Sequence, residues 1–199
     1  STLFPYTTLF RSDPMIVQWD VEAAEKGGYA HFMLKEIYEQ PRAVRNTLAS
    51  RLDLALGRVN LAELKMPADE LARLKRIYIV GCGTASYAGQ MGKYLIERTA
   101  HIPVEVDVAS EFRYRSPLIE KDSLVIVLSQ SGETLDTLAA LREAKRLGAK
   151  TLGITNVVGS SVAREVDYVL YTWAGPEIAV ASTKCFIAQL IALDRKSVV

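Results

Sequence analysis

Cysteine, histidine and net charge are all scarce in this sequence, and each scarcity removes a class of function. The 199 residues include two cysteines and two histidines. Cys82 and Cys185 stand far apart in apolar or glycine-bounded surroundings, with no metal-ligand spacing, and read as reduced thiols. His31 and His101 lack a carboxylate or cysteine at ligand spacing and read as structural rather than catalytic. Lys and Arg total 24 against 23 Asp and Glu, so the net charge of +1 gives no long-range field to attract nucleic acid or an acidic membrane. No apolar run reaches the roughly 18 residues a membrane-spanning helix requires. No stretch has the basic, apolar and small-residue order of a signal peptide. Internal repeats and low-complexity tracts are missing as well. The expectation is a soluble, cytoplasmic protein whose partner is a small molecule or another protein, with no nucleic acid, membrane or metal involved.

What is present is a chain with 49% hydrophobic content, enough to bury one sizeable core with short appendages. Both ends look foreign to it. The aromatic run within residues 1–14 lacks helical or strand periodicity, and residues 194–199 break an amphipathic helix with Arg195-Lys196-Ser197, so both are expected to be non-native tails. Residues 15–74 read as an inter-domain connector with N-terminal helices. Apolar spacing predicts one helix around His31–Tyr38 that Pro41 stops or bends, a second over Ala43–Leu56 ending at Gly57, and a third over Ala68–Leu74.

Residues 75–193 then alternate. Strands are predicted at Ile77–Val80, Val104–Val108, Leu124–Leu128, Thr151–Thr155 and Tyr168–Thr172, with helices at Ser86–Arg98, Leu135–Leu147 and Cys185–Leu193. This spacing calls for an α/β fold with a doubly wound, parallel, five-stranded sheet in the order 2-1-3-4-5. In such a sheet the ligand lies beyond the carboxyl ends of the strands, where the order reverses between strands 1 and 3.

Two loops meet at that point. One is Ser129-Gln130-Ser131-Gly132-Glu133-Thr134, which follows the unbroken apolar strand Leu124–Leu128 and opens a helix. Helix-opening amides lack intrahelical acceptors and lie at the positive end of the helix dipole, so they suit a phosphate. Ser129, Ser131 and Thr134 add hydroxyls and Gln130 an amide, while Ser131 could instead serve only as an N-cap. With no Lys or Arg, this cup suits a small anion held by hydrogen bonds better than a nucleotide triphosphate. The other loop is Gly81-Cys82-Gly83-Thr84-Ala85-Ser86. Gly81-x-Gly83 with Asp107 weakly matches a dinucleotide fingerprint, but Ser86 stands where the third glycine belongs. A tight turn that admits a phosphate is the favoured reading.

Elsewhere, Glu111-Phe112-Arg113-Tyr114-Arg115 reads as a solvated loop or an intersubunit arginine site. In Gly175–Lys184, small residues precede a Ser182-Thr183-Lys184 triplet. Ser182 or Thr183 could cap the final helix or bond a sugar hydroxyl, Lys184 reads as a solvated cation, and Glu177 is the best candidate for a buried, catalytic carboxylate, without an evident acid/base partner.

The blocks Ala109–Arg115, Leu128–Thr134 and Glu177–Lys184, with Lys35–Pro41 upstream, make the chain similar to the first sugar-isomerase (SIS) domain of the glutamine–fructose-6-phosphate aminotransferase family. The resemblance runs from about Trp19 to Leu193. It implies an enzyme that takes ammonia from glutamine and makes glucosamine 6-phosphate from fructose 6-phosphate. It implies hexose 6-phosphate contacts at Thr84, Ser129, Gln130, Ser131 and Thr134, with Val180, Ala181 and Ser182 lining the sugar, no cofactor, and a homodimer formed through SIS domains. The family's glutaminase cysteine and most of its isomerase acid/base groups have no counterpart here, so the fragment alone is expected to be inactive. Where the family reads Cys-Gly-Thr-Ser, this chain has Cys82-Gly83-Thr84-Ala85, and Ser86 is the nearest hydroxyl that could replace the missing one. A stand-alone phosphosugar-binding regulatory domain is the alternative.

Overall fold

A computed structural model describes residues 25–49, 51–53, 58–60 and 62–194. The expected non-native tails fall outside these residues, apart from Asp194. The chain runs α1 (Phe32–Ala49), β1 (Leu52–Asp53), β2 (Arg58–Val59), a 3-10 turn (Ala62–Leu64), α2 (Ala68–Ala72), β3 (Arg76–Gly81), α3 (Thr84–Ala100), β4 (Val104–Val108) and α4 (Ala109–Phe112). It continues through β5 (Ser123–Ser129), α5 (Leu135–Arg146), β6 (Lys150–Thr155), α6 (Ser161–Glu165), β7 (Tyr168–Tyr171) and α7 (Lys184–Leu193).

The main sheet is five-stranded with the order β4-β3-β5-β6-β7, and every pairing in it is parallel. In chain order this is the expected 2-1-3-4-5. Central β5 has all seven residues buried, as a strand covered on both faces requires. Because side chains alternate along a strand, Leu124, Ile126 and Leu128 join Ile77 and Ile79 in a core with α3 and α7 residues such as Ala88 and Leu193. Val125 and Val127 join Tyr78 and Val80 in a second core with Leu138, Leu141 and Ala144 of α5, Phe112 of α4 and Val162 of α6. The sheet thus separates an α3/α7 side from an α5 side.

Four local readings need correction. Pro41 neither stops nor separates the N-terminal helix: α1 runs through it to Ala49. Both Pro41 and Ile37, whose carbonyl loses its i+4 donor, are exposed, so water can take the freed acceptor. The helix expected over Ala43–Leu56 ends early, because Leu52–Asp53 pairs antiparallel with Arg58–Val59. Its end is fixed by Arg51, only 1% exposed, whose guanidinium donates to the Thr47 carbonyl at 3.1 Å, to the Tyr171 carbonyl and to Glu63. The Glu111–Arg115 segment is not simply a solvated loop: Phe112 is fully buried, and Arg115 binds Glu105 and Asp107.

Lys184 is the fourth. It is a buried cation, 1% exposed, and its Nζ reaches Glu39 Oε2 of α1 at 2.5 Å. Glu39 also faces Lys35 at 3.7 Å and Arg42 at 2.8 Å. This cluster ties α1 to α7. Leaving a buried charge unpaired costs about 3–5 kcal/mol. Glu39→Leu, which strands Lys184, is therefore expected to lower stability by about that much. Lys184→Met should cost clearly less, since Glu39 keeps Lys35 and Arg42. Urea denaturation of the two variants checks the order.

Candidate functional site

Parallel strands place all their carboxyl ends on one edge, and the chain's hydroxyl-rich loops leave from that edge. The ends of β3 and β5 pair directly, Gly81 opposite Leu128. Beyond them lies a cavity of about 440 Å³ lined by Cys82–Ala85, Leu128–Ser131, Thr134, Thr137, Glu177, Ala179–Ser182 and Gln189. Of the site residues expected from sequence, Thr84, Ser129, Gln130, Ser131, Thr134, Glu177, Val180, Ala181 and Ser182 are together on its wall.

Ser86 is not on that wall. Its Oγ donates to the Gly83 carbonyl at 2.7 Å, closing the turn that begins α3, so the hydroxyl missing at Ala85 is not restored from there. Ala85 itself faces the cavity. Asp107, weighed as a ribose-binding carboxylate, is held by Arg115 and by its neighbour's Val108 N–H at 2.9 Å.

The loop after β5 is held in shape from within. Ser129 Oγ accepts the Gly132 N–H at 2.9 Å and lies 3.5 Å from Thr134 Oγ1. Ser131 Oγ accepts the Glu133 N–H at 3.2 Å. Thr134, not Ser131, is the N-cap of α5, and its side chain makes no capping bond. The first hydrogen bond of α5 runs from Leu138 N–H to the Thr134 carbonyl at 3.0 Å, so the amides that open the helix have no intrahelical acceptor.

The same loop is also pinned from outside. The Gln130 carbonyl accepts Asn156 N–H at 3.1 Å, and the Gly132 carbonyl accepts Val162 N–H at 3.0 Å. Glu133 accepts Ser161 N–H at 2.8 Å and Ser161 Oγ at 2.7 Å. These bonds, the backbone one foremost, hold the Glu133 carboxyl below the usual glutamate value.

The loop before α7 is set by two carboxylates. Glu177 accepts Thr183 N–H at 2.8 Å, Cys185 N–H at 3.1 Å and Ser182 Oγ at 2.9 Å. It caps α7 from a distance, the role sequence offered to Ser182 or Thr183. Glu36 of α1, 2% exposed, accepts Ile178 N–H at 2.6 Å and Ala179 N–H at 3.1 Å through one oxygen. Between them they fix the backbone of the wall formed by Ala179–Ser182. Burial and the neighbouring Glu177 push the Cys185 thiol far up, which keeps it protonated and inert.

Sequence reasoning missed Cys82, Thr137, Ala179 and Gln189 on the wall. Thr137 lies one helical turn after Thr134, and Gln189 is the polar residue inside the apolar run Cys185–Leu193; both signals were readable. The wall carries no Lys or Arg, and Glu177, already satisfied by three donors, is its one carboxylate among the described residues. The donors on this wall are hydroxyls and amides. The described residues contain no cluster of His, Cys, Asp and Glu able to hold a metal ion, and no helix among them is long and apolar enough to cross a membrane.

An open parallel α/β sheet with a cavity where its strand order reverses is a doubly wound fold with its ligand crevice at the switch point. The profile described as SIS domain matches residues 70–195, and the chain belongs to that family. It is 62% identical over 177 residues to glutamine–fructose-6-phosphate aminotransferase [isomerizing] of Clostridium acetobutylicum, an alignment covering 89% of this chain and 29% of the relative. With the same enzyme of Symbiobacterium thermophilum it is 62% identical over 179 residues, 90% of this chain and 29% of the relative. The chain therefore spans under a third of the length of these relatives. Among solved structures, the C-terminal domain of glucosamine-fructose-6-phosphate aminotransferase from Francisella tularensis superposes with a TM-score of 0.78 at 47% identity, covering 85% of this chain and 47% of that one.

Gly132 decides the shape of the loop, because its φ of +68° and its position 2.5 Å, measured from an added Cβ, from Ser160 Cβ exclude any side chain. Gly132→Ala is expected to disorder the Ser129–Thr134 turn while the apolar strands keep the fold. Far-UV circular dichroism close to wild type, with loss of amide-exchange protection confined to residues 130–134 and 160–162, checks it.

Proposed function

We propose that this chain is a phosphosugar-binding module from the isomerase part of a glutamine-dependent aminotransferase that makes glucosamine 6-phosphate, and that its ligands are fructose 6-phosphate and glucosamine 6-phosphate. The observation that carries the reading is the meeting of the Ser129–Thr134 loop, Thr84 and the Ala179–Ser182 segment on one cavity of about 440 Å³ without a cation. The phosphate takes the hydroxyls of Ser129, Ser131 and Thr134, the Gln130 amide, Thr84 and the opening amides of α5. The sugar lies along Val180, Ala181 and Ser182.

The 62% identity to aminotransferases favours this reading over a stand-alone regulatory domain. Glu177 serves to hold the sugar-lining loop, and the groups that move protons between sugar carbons come from parts of the enzyme beyond this segment. A base must reach the carbon acid it deprotonates, and no histidine or lysine joins Glu177 on the wall. We place the parent enzyme in the cytoplasm as a homodimer joined through its SIS domains. Ser86, which closes its own turn, contributes no ligand contact.

Ligand that binds only the folded state stabilises it by about 2.7 kcal/mol at a hundred times its dissociation constant. For a domain of this size that is a rise in Tm of about 5–10 °C. Fructose 6-phosphate is expected to produce such a rise and unphosphorylated fructose none, by differential scanning fluorimetry. The Ser131→Ala/Thr134→Ala double variant loses two hydrogen bonds to a charged group, each worth about 1.5–3 kcal/mol, and should lose most of the rise. Equal rises with both sugars would contradict the phosphate cup.

A further inference from the structure

Gln189 stands out among the groups around the cavity. It is 3% exposed, lies on the cavity wall, and makes no hydrogen bond with any described residue. Its amide is not among the buried polar groups left without a partner, so it opens onto the cavity, where water or a ligand meets it. The rest of α7 from Cys185 to Leu193 is apolar, so helix packing alone would be served better by leucine.

The other polar groups facing the cavity have partners or are open to water. The Ser182 hydroxyl donates to Glu177, the Thr137 hydroxyl points to Cys82 Sγ at 3.6 Å, Ser129 is engaged within its own loop, and Thr84 is exposed.

Position assigns the kind of group that Gln189 meets. The Ser129–Thr134 cup leads into α5 on one side of the sheet, whereas α7 packs with α3 on the other. Gln189 thus reaches the cavity from α7, a different element from the Ser129–Thr134 cup that leads into α5. A carboxamide offers two donors and an acceptor. A phosphate only accepts, and would use the NH2 of the amide while leaving its carbonyl oxygen without a donor. A sugar hydroxyl both donates and accepts, and satisfies both ends of the amide.

We propose that Gln189 is a specificity-determining residue that hydrogen-bonds a hydroxyl of the sugar carbon chain of a bound hexose 6-phosphate. The assignment rests on the phosphosugar reading above and adds a contact that the hydroxyl loops do not supply. The cavity therefore reads the two ends of its ligand with different elements, the anion with the loops that open α3 and α5 and a hydroxyl with α7.

The test uses the 199-residue chain and its Gln189→Leu variant, titrated with fructose 6-phosphate and with inorganic phosphate by calorimetry, together with the Tm of each protein without ligand. The expected result is a roughly three- to tenfold loss of fructose 6-phosphate affinity, the worth of one net hydrogen bond, with inorganic phosphate affinity unchanged and the ligand-free Tm equal to wild type or higher. Retained fructose 6-phosphate affinity overturns the proposal, as does an equal loss for both ligands, which would place Gln189 in the anion cup. A lowered ligand-free Tm overturns it too, by showing that the amide has a structural partner. A wild type that binds inorganic phosphate but gains nothing from the sugar overturns the contact while leaving the cup intact, and a wild type that binds neither overturns the phosphosugar reading itself.

Discussion

Everything about the site depends on β5 being buried on both faces. Seven consecutive residues, Ser123–Ser129, are buried, so the strand has strands beside it and helices above and below. Parallel pairing with β3 and β6 follows from the helical crossovers that such burial demands. It also brings the carboxyl ends of β3, β5 and β6 to one edge. A polar loop released there has no choice of location, and the Ser129–Thr134 turn begins at the last buried residue. The binding chemistry is thus a consequence of where hydrophobic burial stops.

A second level of organisation is carried by acidic side chains in positioning roles. Glu133 holds the Ser129–Thr134 loop to α6 through Ser161. Glu177 and Glu36 hold the loop before α7 by accepting N–H groups of its backbone. Glu39 neutralises Lys184 at the start of α7. Two of these acids, Glu36 and Glu39, lie on α1, outside the segment matched by the SIS profile. The N-terminal helix is therefore part of what shapes the cavity, not an appendage beside it. Glu133, Glu177 and Glu36 are thus occupied by backbone N–H groups, and the remaining polar groups on the cavity wall are neutral.

The sheet was readable in the sequence because its central strands β3 and β5 carry apolar runs bounded by turn residues, while edge strand β4 alternates valine with acidic residues. Strand order could be reached because alternating strands and helices permit few topologies. The cup was readable because its hydroxyls are contiguous. What could not be read depends on contacts distant in sequence. The continuity of α1 through Pro41 turns on that residue facing water. The burial of Lys184 turns on Glu39, and the end of α1 on Arg51 finding Tyr171 across the fold. Ser86 looked like a substitute hydroxyl by spacing, yet its side chain bonds the turn that carries it. Gln189 was visible as a polar residue in an apolar helix, but only the fold shows that it opens onto the same cavity as the serine loop.

The account's central claim is that one ligand bridges this cavity, its anion at the loops that open α3 and α5 and its hydroxyls at the Ala179–Ser182 segment and α7. Amide chemical-shift mapping of the ¹⁵N-labelled chain during titration with fructose 6-phosphate tests it most directly. The prediction is two groups of perturbed resonances, Thr84 with Ser129–Thr134 and Ala179–Ser182 with the Gln189 side-chain amide, of which inorganic phosphate reproduces only the first. Perturbations confined to α1 or to the amino-terminal edge of the sheet, or identical maps for the two ligands, would contradict it.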